Sequence, residues 1–214
     1  MVGKLRKRSS GLIELKKSVY LISPSKIYKN FYEDLDKVLS FGNTAFFQLR
    51  LKKTNPQKII KISKKIINIT KKNKVKFLIN DYYQLVTKTK ADGCHMGQLD
   101  GDPIKVRQIL KKKILGITCH NSKIFALKAL KSKANYIAFG SFNKSKLKPN
   151  AIKAKINILK WAKKNIKRPI VAIGGINNTN YKRLIKSGAN YIAISSFIWD
   201  NPKLKPDIAI KKFR

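Results

Sequence analysis

The chain has 214 residues, 43% of them apolar, with 49 Lys and Arg against 10 Asp and Glu and a formal charge of +39 at pH 7. That apolar share supports a sizeable core and excludes wholesale disorder, while the length fits one large domain or two small ones. Such a charge points to nucleic acid, an acidic membrane surface or an anionic substrate, although Lys is accompanied by many Ile and Asn, all read from A/T-rich codons, so coding composition accounts for much of it.

Residues 1–10, MVGKLRKRSS, are basic but lack the apolar stretch of a signal peptide, so a frayed basic tail over 1–17 is expected before a single domain over 18–214. Val19–Ile22 and Ala45–Leu49 are the first short apolar runs of strand length. Asn55-Pro56 then supplies a cap with Pro at the first helical position, and Ile59, Ile62, Ile66 and Ile69 follow at spacings of 3, 4 and 3, with Lys on the other face. The remaining strands are expected at Val75–Ile79, Cys94–Met96, Ile114–Thr118, Tyr136–Phe139, Ile170–Ile173 and Tyr191–Ile194. Between them lie helical patterns at Pro103–Leu110, Ser122–Leu130 with Asn121 as cap, Ile152–Lys164, and Asn180–Lys186 ending before Gly188. Several strand runs are continuous rather than alternating (FLIN, YIAFG, IVAIGG, YIAIS), as in strands buried on both faces of a parallel sheet.

Eight strands alternating with helices imply an α/β protein, either a (β/α)8 TIM barrel or a doubly wound sheet. The doubly wound fold would want GxGxxG after its first strand, and the loop there reads SPSKIYKN, so the barrel is the better reading. No apolar run approaches the roughly 18 residues of a membrane span, which leaves a cytoplasmic protein as the expectation. Cys94 and Cys119, without a CxxC or a Cys/His cluster, are expected to be reduced packing residues rather than a disulfide or zinc site.

In such a barrel the chemistry lies at the C-terminal ends of the strands. The polar residues there are Gln48, Arg50 and Lys52 after the second strand, Asn80 and Asp81 after the third, His95 and Asp100 around the fourth, and Thr118 and His120 at the fifth. The loop SFNKSKLK follows the sixth, Gly174-Gly175 the seventh and Ser195-Ser196 the eighth. Of ten carboxylates only Asp81 and Asp100 follow strand ends in this way. Two carboxylates without a Glu/His dyad suit a hard cation, Mg²⁺, whose shell substrate phosphates complete; helix capping is the competing use of Asp81. Arg50, Lys52 and Lys148 would neutralise phosphoryl oxygens at the same rim, and the Gly pair with Ser195 matches the phosphate site formed by backbone N–H groups after the last two strands.

Taken together in this order, QLRLK, LINDYYQL, ADGCHMGQLDGD, GITCHN, YIAFGSF, VAIGGI and GANYIAISSF resemble the thiamine-phosphate synthase family, of which thiazole tautomerases are a sister group. The resemblance covers about residues 18–198. It implies a (β/α)8 fold and a transferase joining 4-amino-2-methyl-5-pyrimidinylmethyl pyrophosphate to thiazole phosphate, with thiamine phosphate and pyrophosphate as products. Carried over by position, Asp81 and Asp100 would bind Mg²⁺, and Arg50, Lys52, Asn80 and Lys148 would hold the pyrophosphate. Gln48 and His95 would face the pyrimidine. Gly175, with the backbone of Ile194 and Ser195, would take the thiazole phosphate, and Ser145 stands near the usual Thr contact. Thr118 departs from the family's Ser but keeps a hydroxyl, and SFNKSKLK lacks the family's Pro and Thr-rich character, so Lys146 could replace Lys148.

Two other readings differ in what they require. A tautomerase-like protein would need the thiazole-phosphate pocket and His120 as acid/base, but no pair of carboxylates beside Arg50 and Lys52. A basic nucleic-acid-binding protein would need a clustered patch or motif, and the charge here is spread along the whole chain. Small phosphorylated molecules are therefore the expected partners, with no membrane and no specific nucleic acid; the sequence leaves open whether the chain forms a homo-oligomer.

Overall fold

The computed structural model describes residues 17–143 and 153–214, so of the expected tail only Lys17 is included. Strands β1 (Val19–Ile22), β2 (Thr44–Leu49), β3 (Lys76–Asn80), β4 (Gly93–Met96), β5 (Ile114–Thr118), β6 (Tyr136–Phe139), β7 (Ile170–Ala172) and β8 (Tyr191–Ile194) pair in parallel with their chain neighbours. β1 also pairs with β8, which closes an eight-stranded barrel in sequence order. This is the TIM-barrel architecture.

The helices are α1 (Phe31–Ser40), α2 (Pro56–Lys72), α3 (Pro103–Leu110), α4 (Lys123–Lys131), α5 (Asn157–Asn165), α6 (Tyr181–Lys186), α7 (Ser196–Trp199) and α8 (Pro206–Ile210). In α2 the Ile59, Ile62 and Ile66 stripe is buried and Asn55 accepts the Gln57 N–H at 2.8 Å, so cap and stripe act as the sequence requires. Ser122, not Asn121, caps α4; the Asn121 side-chain Oδ1 instead accepts the Lys155 N–H. The expected helix from residue 152 begins only at Asn157, because Ala154 N donates to Ser141 O and Lys155 N to Asn121, which ties this segment to the rim loops. Between β3 and β4 there is a single 3-10 turn, Tyr83–Leu85, with no side-chain cap. Asp81 is thus not used for capping. Among the described residues no helix is long and apolar enough to cross a membrane.

Strand alternation sends one set of side chains to the helices and the other into the barrel. Phe47, Phe77, Leu115, Ile137 and Leu159 belong to the outer core. The interior starts from an aromatic plug: the Phe46 ring lies 5.1 Å from Tyr191, 5.4 Å from Tyr20 and 5.8 Å from Tyr136. Tyr136 fits because its neighbour on β5 is Gly116, where an added Cβ would lie 1.8 Å from the ring. Gly116→Ala is therefore expected to destabilise the protein by about 1–3 kcal/mol through overpacking, read as a lowered urea midpoint with an unchanged slope.

Candidate active site

Above the plug the interior becomes polar on one side only. Gln48, Asn80, His95 and Thr118 sit on the consecutive strands β2 to β5, all buried and all on the inward face that also carries Phe46, Leu78, Gly93 and Gly116. Across the barrel the matching positions are apolar: Ala138, Val171, Ile173 and Ala193. The polar side chains satisfy one another. Gln48 Nε2 donates to Asn80 Oδ1, and His95 bridges Tyr136 Oη (2.7 Å from Nδ1) and Thr118 Oγ1 (2.8 Å from Nε2). Tyr136 Oη is in turn 2.8 Å from Tyr20 Oη.

The charged residues stand at the rim over this floor. Arg50 continues the inward side of β2 and is partly buried; its N–H donates to Ser23 Oγ at 3.0 Å. Burial pulls its guanidinium down, and Asp81 and Asp100 pull it back up. Lys52 Nζ lies 3.8 Å from Asp81 Oδ2 with more than half of the lysine side chain exposed. Asp81 adopts a left-handed backbone (φ 65°), which Asp tolerates better than most residues. Its N–H donates to His95 O at 2.8 Å and its carbonyl accepts from Tyr83, so the turn is anchored on β4. Gly97 N–H donates to Asp100 Oδ2 at 2.6 Å, fixing the second carboxylate.

Desolvation, then a hydrogen bond and charge repulsion from Asp100, push the Asp81 carboxyl up to about 6 despite Lys52 and Arg50. Two carboxyl groups this close need a shared proton or a cation between them. Among the described residues no three His, Cys, Asp or Glu side chains converge on one point. The pair therefore fits a hard cation that takes its other ligands from substrate oxygens and water, as Mg²⁺ does, and does not resemble a complete protein cage.

The last two strands bring the other anion-binding candidates to the same rim. Gly174 and Gly175 both have positive φ (100° and 57°), and a Cβ on Gly174 would lie 1.9 Å from Ser141 Oγ. Asn180 Nδ2 holds the Gly175 carbonyl at 2.9 Å. Ile194 is buried at the end of β8, and Ser195, just before α7, donates through Oγ to Ser23 O at 3.0 Å. Ser145, Lys146 and Lys148 lie outside the described residues. The His120 ring lies edge-on to Phe125 of α4 at 6.4 Å. Cys94 and Cys119 are buried free thiols; burial pushes both up, Cys119 to about 12, as expected for packing residues. A cleft of about 770 Å³ also opens at the opposite end of the barrel, beside Lys17, Asn43, Arg168 and Asn190, and includes none of these residues.

The sequence as a whole is similar to known proteins. Residues 19–198 match the family model described as thiamine monophosphate synthase. The chain belongs to the thiamine monophosphate synthase family. It is 55% identical over 201 residues to the thiamine-phosphate synthase of Pelagibacter ubique, covering 93% of this chain and 97% of that one. It is 34% identical over 191 residues to that of Erythrobacter litoralis, covering 87% and 90%. Among solved structures, the thiamine phosphate pyrophosphorylase of Pyrococcus furiosus superposes with a TM-score of 0.81 at 25% identity, covering 94% of this chain and 95% of that one.

Four residues of this thiamine monophosphate synthase family member were not singled out by strand-end reasoning. Tyr20 and Tyr136 lie at strand starts and reach the floor only through their length; Gln98 Nε2 donates to the Thr118 carbonyl. Ser23 follows β1 and could have been found by applying the same rule to that strand. The raised Asp81 carboxyl has a pH consequence. The folded state binds this proton more tightly than the unfolded chain, whose carboxyl has the ordinary value of 3.8, so its contribution to stability falls as pH rises from about 4 to about 6 and stays unfavourable above. In metal-free protein, Asp81→Asn is expected to gain stability over the unsubstituted chain progressively across that window and hold the gain above about pH 6, read as the difference in Tm at each pH.

Proposed function

We propose that this chain joins 4-amino-2-methyl-5-pyrimidinylmethyl pyrophosphate to thiazole phosphate, in a cytoplasmic, Mg²⁺-dependent transfer with pyrophosphate as leaving group. The observation that carries this reading is the convergence of Asp81, Asp100, Arg50 and Lys52 over a floor of neutral hydrogen-bonding side chains. Cations and a carboxylate pair suit a pyrophosphate, and an uncharged floor backed by apolar strands suits an aromatic heterocycle with a polar edge.

In the reaction the bond between the methylene carbon and the pyrophosphate oxygen breaks, its electron pair leaving on oxygen. The electron-rich aminopyrimidine stabilises the resulting cation, and the thiazole nitrogen donates its lone pair to form the new C–N bond. No general base is needed for this exchange. Asp81 and Asp100 would hold Mg²⁺, which supplies neutralisation of the charge that develops on the leaving oxygens. Arg50 and Lys52 hold the pyrophosphate by charge-assisted hydrogen bonds, Arg50 being suited to bidentate contact. Gln48 and Asn80 already use one donor and one acceptor on each other, which leaves Gln48 Oε1 and the Asn80 amide protons to orient the pyrimidine edge. Gly175, Ile194 and Ser195 offer backbone groups for the thiazole phosphate, which fixes the ring nitrogen in line with the methylene carbon. Lys148 and Ser145 would add to the two phosphate regions.

A tautomerase would need none of the pyrophosphate machinery that Asp81, Asp100, Arg50 and Lys52 would supply. Purified protein given both phosphorylated substrates and Mg²⁺ is expected to release thiamine phosphate and pyrophosphate in equal amounts. Asp81→Ala and Asp100→Ala are each expected to lower kcat/KM by about 10²-fold or more while leaving the circular dichroism spectrum unchanged; unaltered turnover in both would remove the metal assignment.

A further inference from the structure

We propose that Tyr136 is a positioning residue that holds His95 as its neutral Nε2–H tautomer, so that Thr118 presents its hydroxyl proton to the substrate. The argument is a count of protons in a chain of hydrogen bonds. Tyr20 Oη, Tyr136 Oη and His95 Nδ1 are joined by two contacts, 2.8 Å and 2.7 Å, and among the described residues Tyr20 Oη has no other hydrogen-bond partner. Both phenols are buried in the barrel, at 1% exposure each. Burial pushes both hydroxyls above their ordinary range, so each keeps its proton.

If Nδ1 carried a hydrogen, three protons would compete for two contacts, and one phenol or imidazole proton would be buried without an acceptor. The same excess arises for the imidazolium. With Nδ1 bare, Tyr20 donates to Tyr136, Tyr136 donates to Nδ1, and every proton is used. His95 must then carry its hydrogen on Nε2, which donates to Thr118 Oγ1 at 2.8 Å. Thr118 therefore accepts in that bond, and its own proton turns elsewhere. Thr118 ends β5 on the inward face and is 7% exposed, so the open direction is the barrel mouth. The chain thus runs outward from a buried phenol to a hydroxyl donor in the candidate site, and the ligand it recognises is an acceptor atom of the pyrimidine-bearing substrate. Only that last identification rests on the synthase reading; the tautomer is a property of the free protein.

The chain contains two histidines, which makes the tautomer directly readable. Protein labelled with ¹⁵N-histidine is examined by long-range ¹⁵N–¹H correlation without substrate, and His120→Asn identifies the second ring. His95 is expected as the Nε2–H tautomer. Tyr20→Phe removes one proton and one contact together, so Nδ1–H would still leave a proton without an acceptor and His95 should stay the Nε2–H tautomer. Tyr136→Phe removes the proton donated to Nδ1, so a population of the Nδ1–H tautomer should appear. In turnover assays Tyr136→Phe is expected to raise KM for the pyrimidine substrate about 2- to 10-fold, the value of one hydrogen bond, with KM for thiazole phosphate unchanged; Thr118→Val should show the same selectivity and Thr118→Ser should restore it. A protonated Nδ1 in the unsubstituted chain or in Tyr20→Phe, or a Tyr136→Phe spectrum with an unmoved tautomer, would overturn the proposal. If the tautomer behaves as described but no thiamine phosphate forms, the positioning chain stands and the synthase reading fails.

Discussion

Closing eight strands into a barrel leaves inward-facing polar groups with one route to water, the mouth. Any donor or acceptor below it must find a partner inside or remain unsatisfied at a cost of about 1–3 kcal/mol. The interior obeys this limit in layers. Phe46 and Tyr191 fill the bottom with rings, the Tyr20, Tyr136 and His95 contacts absorb the first polar atoms, and Gln48 pairs with Asn80 just beneath the rim. Charge is confined to the top, where Arg50 and Asp81 are partly exposed and Lys52 mostly so. Polarity therefore rises along the barrel axis in step with access to water, and the site sits where the two meet.

The formal charge of +39 takes on a different meaning against this arrangement. Many of the cations lie on the outer helices and loops: Lys65 and Lys123 lie over the rings of Tyr32 and Trp161, and Asp36 and Asp92 each take one lysine. Such exposed pairs contribute little to stability. The two acids at the rim matter more because they are packed against each other rather than dispersed. A pair that repels itself binds a proton or a divalent cation more readily than either carboxylate would alone, and the surrounding positive field draws phosphorylated substrates toward the same mouth.

How much of this was legible in the sequence follows from the range of each interaction. The eight strands and the α2 stripe are set by local alternation and periodicity, and they appear within a residue or two of their expected bounds. Helix α1, with Phe31, Leu35 and Val38 buried on one face, carried a readable pattern behind the loop SPSKIYKN. The start of α5 did not, since it is decided by Ala154 and Lys155 bonding to residues far away in the chain. Gln48, Asn80, Asp81 and His95 were found because strand ends converge in a parallel barrel. Tyr20 and Tyr136 were hidden inside apolar runs: their role depends on two hydroxyls meeting across 116 positions of sequence, over a gap that Gly116 leaves open. Periodicity reports which face a side chain takes, but not how far its tip reaches.

The rim also has a hub that ties its two phosphate regions together. Ser23 Oγ accepts the Arg50 N–H and its carbonyl accepts the Ser195 hydroxyl, so one residue after β1 contacts the strand end that would hold pyrophosphate and the strand end that would hold thiazole phosphate. The Ser23 N–H is itself fixed on Gln48 O at 2.9 Å. For two substrates whose reacting atoms must meet at near contact distance, the separation of their phosphate sites is the quantity the protein has to fix, because a misplacement of about 1 Å can cost 10²-fold in rate. β1 is the strand where the barrel closes, and it carries few polar residues of its own. Its contribution would be to set that spacing through Ser23, which holds the Arg50 backbone N–H and the Ser195 hydroxyl.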